Sequence, residues 1–395
     1  MLNFEQYTPT RVIFGKGTET KTGKEIAALG GKRVFIVYGG GSVIRSGLMK
    51  SIEESLESEG LIYEEFGGAK PNPTLSHALE GVVKGKEFGA DFVLAVGGGS
   101  AIDTAKGIAM GIANPELDFW PLWTGEYPLK KILPVGVVLT IAAAGSEMSK
   151  SAVLTNEETG IKKGVQASDL VRPLFAVMDP ELLASVPEYH IMSGIVDIMM
   201  HTLDRYFVMD GPARLSDEIA EGVLRTMIYE GPIALKDPKD YDAMAEVMWA
   251  SSVSHNDMTG LGRGVRDFAV HGLGAPLSAH YDAIHGATLS ALWGTWAEYV
   301  YKSVPDRFAR YARTVWGVTG EDDLAVSREG IDKTVSFFRS IGAPVSITDL
   351  LERKLTDDEI HKLAMDVTAG GSKSISRVQP LAIEDVEEIY RRANA

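Results

Sequence analysis

The sequence predicts two domains, an α/β domain with a parallel sheet over residues 1–182 and an all-helical domain over residues 183–395. At 395 residues the chain exceeds what one hydrophobic core usually serves, and a prior of about 150 residues per domain gives two or three domains. Apolar runs in the first half are short and continuous, whereas the second half has long amphipathic stretches and lacks strand-like runs. The change in periodicity places the boundary near residue 182.

Buried strands are predicted in the first half, at residues 34–38, 92–96 and 133–139. Runs of bulky or β-branched residues bounded by Gly or Pro are typical of strands that are covered on both faces. Amphipathic stretches at 47–60 and 75–87 are long enough for crossover helices. This alternation predicts a parallel sheet covered by helices, which ends near residues 178–180.

Helices are predicted throughout the second half, at residues 216–229, 241–253, 305–315, 327–341 and 383–393. The last of these begins with acidic residues and ends with Arg391 and Arg392, which is the charge order that a helix dipole favours.

Composition excludes several classes of protein. The net charge of −15 disfavours nucleic acid and anionic membranes as partners, and the absence of cysteine excludes disulfides, thiolate catalysis and Cys-ligated metals. The N-terminus lacks the features of a signal peptide, and no apolar run reaches the roughly 18 residues of a membrane span. We therefore expect a cytoplasmic protein whose metal, if any, is held by His, Asp or Glu.

A glycine-rich loop follows the second predicted strand. Gly97, Gly98 and Gly99 lead into a predicted helix that contains Ser100 and Asp103. Glycines allow a backbone to approach a pyrophosphate, which the free N–H groups of the first helical turn can then hold. The alternative is a tight βα turn closed by a capping box of Ser100 and Asp103.

A second glycine cluster, residues 39–42, lies in what the sequence predicts to be the first βα turn of the sheet. Many dinucleotide-binding folds carry a carboxylate near this place, which binds the ribose 2′-OH and favours NAD. Here Gly39, Gly40 and Ser42 leave nothing to repel a 2′-phosphate. The cluster therefore favours NADP over NAD.

Histidines and one aspartate in the second half form a candidate metal site. Asp197 and His201 stand at i and i+4 of a predicted apolar helix, which places both side chains on one face. His271 and His285 flank Gly and Pro residues that predict a break between helices. One carboxylate with three imidazoles suits Fe(II) or Zn(II). Buried ion pairs and satisfied core histidines are the alternative.

Taken together, the sequence resembles the iron-containing (group III) alcohol dehydrogenases, in the branch of butanol dehydrogenases and broad aldehyde reductases. The resemblance runs essentially end to end, and it rests on the motifs at residues 8–15, 71–74, 97–106, 140–147, 194–201 and 271–285.

The resemblance implies a Rossmann-like N-terminal domain, a helical C-terminal domain, and a divalent metal in the cleft between them. It implies that the metal ligands and catalytic residues are Asp197, His201, His271 and His285. It also implies dinucleotide contacts from Gly39, Gly40, Ser42, Asn72, Gly97, Gly98, Gly99, Ser100, Asp103, Thr140, Ser146 and Lys162.

The sequence departs from the family pattern at Ala275, where many members carry a histidine that is credited with proton relay. His280 is a candidate substitute or a surface residue. The aromatic residues Phe119, Trp120 and Trp123 either line an aldehyde pocket or pack as a structural loop.

The activity implied is hydride transfer between the nicotinamide C4 of NADP(H) and a short-chain aldehyde or primary alcohol such as butanal or butanol, with the metal as Lewis acid. We expect a homodimer and a small-molecule substrate. The alternatives are a zinc enzyme that resembles glycerol dehydrogenase or dehydroquinate synthase, and a non-catalytic dinucleotide-binding regulator.

Overall fold

The computed structural model describes residues 1–208, 210–264 and 266–395. Two compact units make up the chain. The first, which we call the sheet unit, contains residues 7–186 and 238–248; the second, the helical unit, contains residues 1–6, 187–237 and 249–395. The sequence predicted one boundary, between residues 182 and 183, whereas the sheet unit extends to residue 186. The two short segments 1–6 and 238–248 also belong to the opposite unit from the one predicted. Periodicity along the chain does not report such long-range packing.

Six parallel strands form the sheet, in the order β1-β8-β5-β4-β2-β3, and β6 and β7 form an antiparallel pair. The strands are β1 (Arg11–Phe14), β2 (Arg33–Tyr38), β3 (Ile62–Phe66), β4 (Phe92–Gly97), β5 (Val135–Leu139), β6 (Val153–Asn156), β7 (Ile161–Gly164) and β8 (Phe175–Met178). The central strands β4 and β5 are buried along their whole length, as a sheet with helices on both faces requires.

Helices cover this sheet and continue through the helical unit. In the sheet unit they are α1 (Thr22–Ala28), α2 (Ser42–Arg45), α3 (Leu48–Ser58), α4 (Leu75–Phe88), α5 (Gly99–Ala113) and α6 (Phe119–Thr124). The later helices are α7 (Glu188–Tyr206), α8 (Arg214–Lys236), α9 (Tyr241–His255), α10 (Ala269–Tyr281), α11 (His285–Val300), α12 (Pro305–Trp316), α13 (Asp323–Ser340), α14 (Ile347–Leu351), α15 (Asp357–Val367) and α16 (Ile383–Ala393). No strand is described beyond Met178, which confirms the predicted change from an α/β to a helical pattern.

Several strands escaped prediction because they are not continuous apolar runs. β1 and β3 are the edges of the sheet, and most of their residues are partly or fully exposed. The hairpin of β6 and β7 lies outside the main sheet. The sequence predicted that the loop at residues 39–42 is the first βα connection of the sheet. This prediction is wrong, because β1 precedes β2.

The sheet reverses its direction of growth between β2 and β4. β3 adds to one side of β2, and the chain then crosses to β4 on the other side and continues to β5. In open α/β sheets the crevice beyond the carboxyl ends of two such strands is the usual ligand-binding place. Tyr38 and Val96 pair at these ends, so the glycine loops that follow β2 and β4 start side by side.

The helix break expected between His271 and His285 lies later than the sequence predicts. α10 continues through Gly272 and Pro276, and ends where Asp282 adopts a left-handed conformation, with φ of 52°. Pro276 costs this helix one backbone hydrogen bond, but packing of α10 against α11 and α15 maintains it. Among the helices of the described residues, none combines the length and apolar character that crossing a bilayer requires.

Candidate active site

The helix α7 supplies the first half of a buried His and Asp cluster. Asp197 and His201 are 3% and 4% exposed, and an Asp197 oxygen, Oδ1, lies 3.4 Å from Nε2 of His201. Residues 191–206 of α7 are buried, and Ile198 and Met200 are 0% exposed. The i, i+4 spacing therefore brings the two side chains together as the sequence predicts.

The helices α10 and α11 supply the second half. Nε2 of His271 lies 3.7 Å and Nε2 of His285 lies 3.8 Å from the same Asp197 oxygen. Ligands at about 2.1 Å from a tetrahedral cation are separated by about 3.4 Å, so these spacings are close to those around a shared metal. Potential ligand atoms of Asp197, His201 and His271 also lie within 4.8 Å of one another. The four residues could hold one divalent cation.

Two buried polar atoms of the cluster are placed to bind a cation. Asp197 Oδ1 and His271 Nε2 have no hydrogen-bond partner in the described part of the chain, although both are fully buried. Buried polar atoms are almost always paired, and atoms that bind an ion are a common exception. The observation agrees with a cation bound between them.

Asp204, which the sequence analysis missed, orients one of these histidines. Its carboxylate accepts a hydrogen bond from Nδ1 of His271. This bond directs Nε2 of His271 toward Asp197, as carboxylates commonly do for metal-bound histidines. Asp204 stands three residues after His201 on α7, and that spacing was the only available signal. The ring of His255 stacks on His201, with centroids 4.0 Å apart, and no pattern in the sequence indicated this contact.

The pKa values of His201 and His271 are shifted in opposite directions. Burial, aided by the neighbouring histidines, holds the pKa of His201 well below its ordinary value, so His201 is neutral and can donate a lone pair. Burial also opposes the charged form of His271, but Asp204 and Asp197 outweigh it and raise the pKa of His271 to about 9. A cation among these ligands would replace the proton that His271 carries in its absence.

Gly286 allows α11 to approach α7 at the position of His285. A Cβ atom at Gly286 would lie 2.1 Å from the backbone oxygen of Ser193, which is a severe clash. We expect Gly286→Ala to displace His285, lower metal affinity at least about tenfold and cost about 1–3 kcal/mol of unfolding free energy.

Metal content after dialysis and thermal unfolding measure this effect. Gly222→Ala on α8 is the matched control, because a Cβ there meets no atom within 4 Å. Equal metal retention in the two variants would contradict the argument.

The sheet unit places the predicted glycines at the ends of β2 and β4. A Cβ at Gly97 or Gly98 would meet Ala101 at 2.6 Å or Ile141 at 2.8 Å, so packing explains these two glycines. In contrast, a Cβ at Gly99 meets nothing closer than 3.9 Å, and one at Gly40 meets nothing within 4 Å. The space beside the last two glycines is open to a ligand.

The start of α5 does not form the capping box that was the alternative interpretation of this loop. The helix begins at Gly99 with Gly98 as N-cap, so Ser100 lies inside the first turn. Instead of capping, Asp103 accepts hydrogen bonds from the Ser146 hydroxyl, at 2.7 Å, and from the Val153 N–H, at 2.8 Å. Because Gly98 has no side chain to cap the helix, the first-turn N–H groups can serve an anion.

Lys106 is the buried centre of this arrangement. Its ammonium donates to the Ser146 carbonyl and hydroxyl and to the carbonyls of Ser149 and Ser151, at 2.7–3.1 Å. Burial lowers the pKa of Lys106 to about 8, against the raising effect of the Asp103 carboxylate. Sequence reasoning assigned no role to Lys106. Its contacts fix the segment 146–151, which we call the serine loop.

Other predicted contacts also meet within the sheet unit. The Thr140 N–H donates to the Gly97 carbonyl at 3.1 Å, and the Lys162 ammonium donates to Asn72 Oδ1 at 2.9 Å. Ser42 begins the short helix α2, directly after the glycines that follow β2. The structure thus gathers the predicted residues at the carboxyl ends of the strands and on the hairpin of β6 and β7.

Two further candidates do not join the metal cluster. Nε2 of His280 bonds to Asp366 at 2.6 Å, and His280 lies about 13 Å along α10 from His271. Phe119 and Trp123 are buried in an apolar cluster of the sheet unit, where the Trp123 indole N–H donates to the Lys163 carbonyl. The packing role of this aromatic loop is therefore established within its own unit.

Known protein families and relatives match this sequence along nearly its whole length. The sequence model of the family described as "Iron-containing alcohol dehydrogenase" matches residues 9–180, and that of "Fe-containing alcohol dehydrogenase family, C-terminal" matches residues 190–394. The chain is 38% identical to NADH-dependent butanol dehydrogenase A of Clostridium acetobutylicum and 35% identical to NADPH-dependent aldehyde reductase YqhD of Escherichia coli, over the full length of each.

A solved structure agrees with these sequence matches. The crystal structure of NADH-dependent butanol dehydrogenase A from Thermotoga maritima superposes with a TM-score of 0.95 at 36% identity, and the match covers 100% of this chain and 99% of that one. The predicted fold class and resemblance are confirmed. The protein is an oxidoreductase that belongs to the iron-containing alcohol dehydrogenase family, in the branch of butanol dehydrogenases and aldehyde reductases.

Proposed function

We propose that this protein is a metal-dependent, NADPH-preferring aldehyde reductase that interconverts short-chain aldehydes and primary alcohols, such as butanal and butanol. The observation that carries the proposal is the convergence of three imidazole Nε2 atoms on one buried oxygen of Asp197, at 3.4–3.8 Å. The names of two relatives, a butanol dehydrogenase and an aldehyde reductase, support the interconversion of aldehydes and alcohols, although one is NADH-dependent and the other NADPH-dependent.

Asp197, His201, His271 and His285 would hold Fe²⁺ or Zn²⁺, because three imidazoles and a carboxylate suit either ion. When bound, such an ion supplies Lewis acidity to the oxygen of the substrate. The protein's own contribution is orientation: Asp204 fixes the His271 ring, and burial keeps His201 neutral. Asp197 and His201 are buried, whereas the side chain of His285 is 32% exposed.

The dinucleotide would bind at the carboxyl ends of β2 and β4. The open space at Gly40 and Gly99 and the uncapped start of α5 support a pyrophosphate there. We expect the remaining dinucleotide contacts from Gly39, Ser42, Asn72, Gly97, Gly98, Ser100, Asp103, Thr140, Ser146 and Lys162. Asp103 and Ser146 act through their bond to each other and to the serine loop.

Removal and replacement of the metal tests the activity. Protein purified without oxygen is stripped with a chelator, and NADPH oxidation with butanal is followed before and after addition of Fe²⁺ or Zn²⁺. We expect loss of turnover on stripping and recovery with one of the two ions. Turnover that survives complete removal, or turnover of glycerol but not of butanal, would overturn the proposal.

The preference for NADPH follows from the absence of a carboxylate after β2. We expect Gly40→Asp to lower the ratio of kcat/KM with NADPH to that with NADH at least about tenfold, because the new carboxylate repels a 2′-phosphate. The new side chain has room and Gly40 does not need a positive φ.

Gly40→Ala is the control for the added side chain, because it introduces a Cβ without charge. Steady-state kinetics with both nucleotides compares the variants. A ratio that Gly40→Asp leaves at the wild-type value would contradict NADPH selection at this loop.

We further propose a homodimer in the cytoplasm that acts on a small-molecule substrate. Light scattering of the purified protein measures the dimer, and cell fractionation measures the location.

A further inference from the structure

A cavity of about 630 Å³ in the helical unit lies between the start of α10 and residues 373–380. The four candidate metal ligands are not among its lining residues, but Phe268 connects the cavity to the His and Asp cluster. Phe268 lines the cavity, and its ring centroid is 5.2 Å from that of His271 and 6.1 Å from that of His201. Gly272, which directly follows His271, lines it as well. A molecule in this cavity would contact Phe268, whose ring packs against His271 and His201.

Gly272 leaves free space at the wall of the cavity because it has no side chain. A Cβ at Gly272 would meet no atom within 4 Å, whereas a Cβ at Gly274, on the same helix, would meet Thr288 Oγ1 at 2.6 Å. Close helix packing thus explains Gly274 but not Gly272. The glycine beside His271 adds volume to the cavity.

The opposite wall carries positive charge. Lys373 and Arg377 line the cavity together with the hydroxyl-bearing residues Ser374 and Ser376. Both residues are exposed, and among the described residues no ion pair engages either side chain. Two such cations on one cavity wall are notable in a chain of net charge −15, because a local positive site is what would attract an anion to an acidic protein.

Asp267 is the acidic residue among those that line the cavity, and its oxygens are already used. The carboxylate accepts hydrogen bonds from the Arg377 N–H and, at 3.2 Å, from the Ser376 hydroxyl. These bonds hold Ser376 in a left-handed conformation, with φ of 68°. Asp267 therefore fixes the loop that presents the two cations, and the ionised lining side chains sum to one positive charge.

We propose that this cavity receives the far end of the aldehyde substrate, and that Lys373 and Arg377 select aldehydes with a carboxylate at that end, such as the four-carbon 4-oxobutanoate. The inference rests on the proposed function and specifies its substrate class. In the reaction, the carbonyl carbon takes a hydride from NADPH and the carbonyl oxygen takes a proton that comes ultimately from water. The products are the 4-hydroxy acid and NADP⁺.

Kinetics with a charged and a neutral aldehyde of equal chain length tests the selection. The ratio of kcat/KM for 4-oxobutanoate to that for butanal is measured in the wild type and in the double variant Lys373→Gln, Arg377→Gln. We expect the ratio to fall at least about tenfold, through the charged substrate alone, because charge-assisted contacts are lost. Lys362→Gln is the control, because Lys362 is exposed on α15 and does not line the cavity.

A variant that fills the cavity tests its location. Gly272→Leu is expected to lower kcat/KM for both four-carbon aldehydes, since the new side chain projects into the cavity beside His271. An unchanged ratio in the double variant would overturn the charge selection. Undiminished turnover of both aldehydes by Gly272→Leu would overturn the placement of the substrate.

Direct binding separates this inference from the proposed function. Saturation-transfer NMR with 4-hydroxybutanoate needs no turnover, and we expect a signal in the wild type that the double variant loses. If no aldehyde is reduced but this difference is found, the proposed function fails and the carboxylate site stands. Binding that is equal in both proteins, or absent from both, overturns the site.

Discussion

Asp197→Asn is expected to abolish metal retention and to lower kcat/KM for butanal by at least about 1,000-fold. All three histidine Nε2 atoms face the Asp197 oxygen at 3.4–3.8 Å, so this carboxylate supplies the negative charge at the centre of the cluster. A Lewis-acidic ion contributes several kcal/mol to such reactions, and about 4 kcal/mol corresponds to about 1,000-fold in rate. Elemental analysis and NADPH oxidation measure the two effects.

Asp204→Asn provides a graded comparison for this experiment. Asp204 bonds to His271 but lies one layer outside the ligands, and loss of such a partner typically costs about 10- to 100-fold in metal affinity or activity. NADPH affinity should change little in either variant, because the predicted dinucleotide contacts belong to the sheet unit. An Asp197→Asn protein that keeps its metal would refute the assignment of the ligand set.

Lys106→Met is expected to weaken NADPH binding at least about tenfold and to lower the unfolding free energy by about 3 kcal/mol. The substitution removes the ammonium that donates to Ser146, Ser149 and Ser151, and leaves the partly buried Asp103 without its charged neighbour. Removal of one partner from a buried charged network typically costs about 3–5 kcal/mol. Burial of the ammonium costs free energy, and it lowers the pKa of Lys106 to about 8. The methionine side chain avoids this cost, so the net loss of unfolding free energy is smaller.

NADPH affinity and stability are expected to fall because the serine loop is no longer held beside α5 by the Lys106 ammonium. Titration of NADPH against protein fluorescence measures affinity, and denaturant unfolding measures stability. Lys84→Met is the matched control, because Lys84 forms an exposed ion pair with Glu80 that contributes at most about 1 kcal/mol. Wild-type affinity and stability in Lys106→Met would show that the loop keeps its position without the ammonium.

Local pattern was sufficient for much of the fold. Buried strands such as β2 and β4 are continuous apolar runs, and helices such as α16 begin and end at the predicted residues. The edge strands β1 and β3 were missed, because half-exposed strands lack such runs. The end of α10 was also misplaced, since Gly and Pro indicate a break only when packing does not maintain the helix.

Part of the candidate site was likewise predictable from the sequence, and part was not. The spacing of Asp197 and His201 on one helix indicated a shared face, and the resemblance to a known family supplied His271 and His285. The partners that orient these residues were not predictable, because Asp204 meets His271 across 67 positions of sequence and His255 approaches His201 from another helix. Contacts of this length leave no periodic signal.

The amino-acid sequence by itself determined the order of an α/β and a helical region, the chemistry of the metal ligands and the exclusion of cysteine-based sites. Only the tertiary structure decided the roles of Lys106 and Asp103 in bracing the serine loop, the open start of α5, and the cationic cavity beside His271. The physical reason is that hydrophobic periodicity records which face of an element is buried, whereas hydrogen bonds and cavities depend on which distant elements meet there.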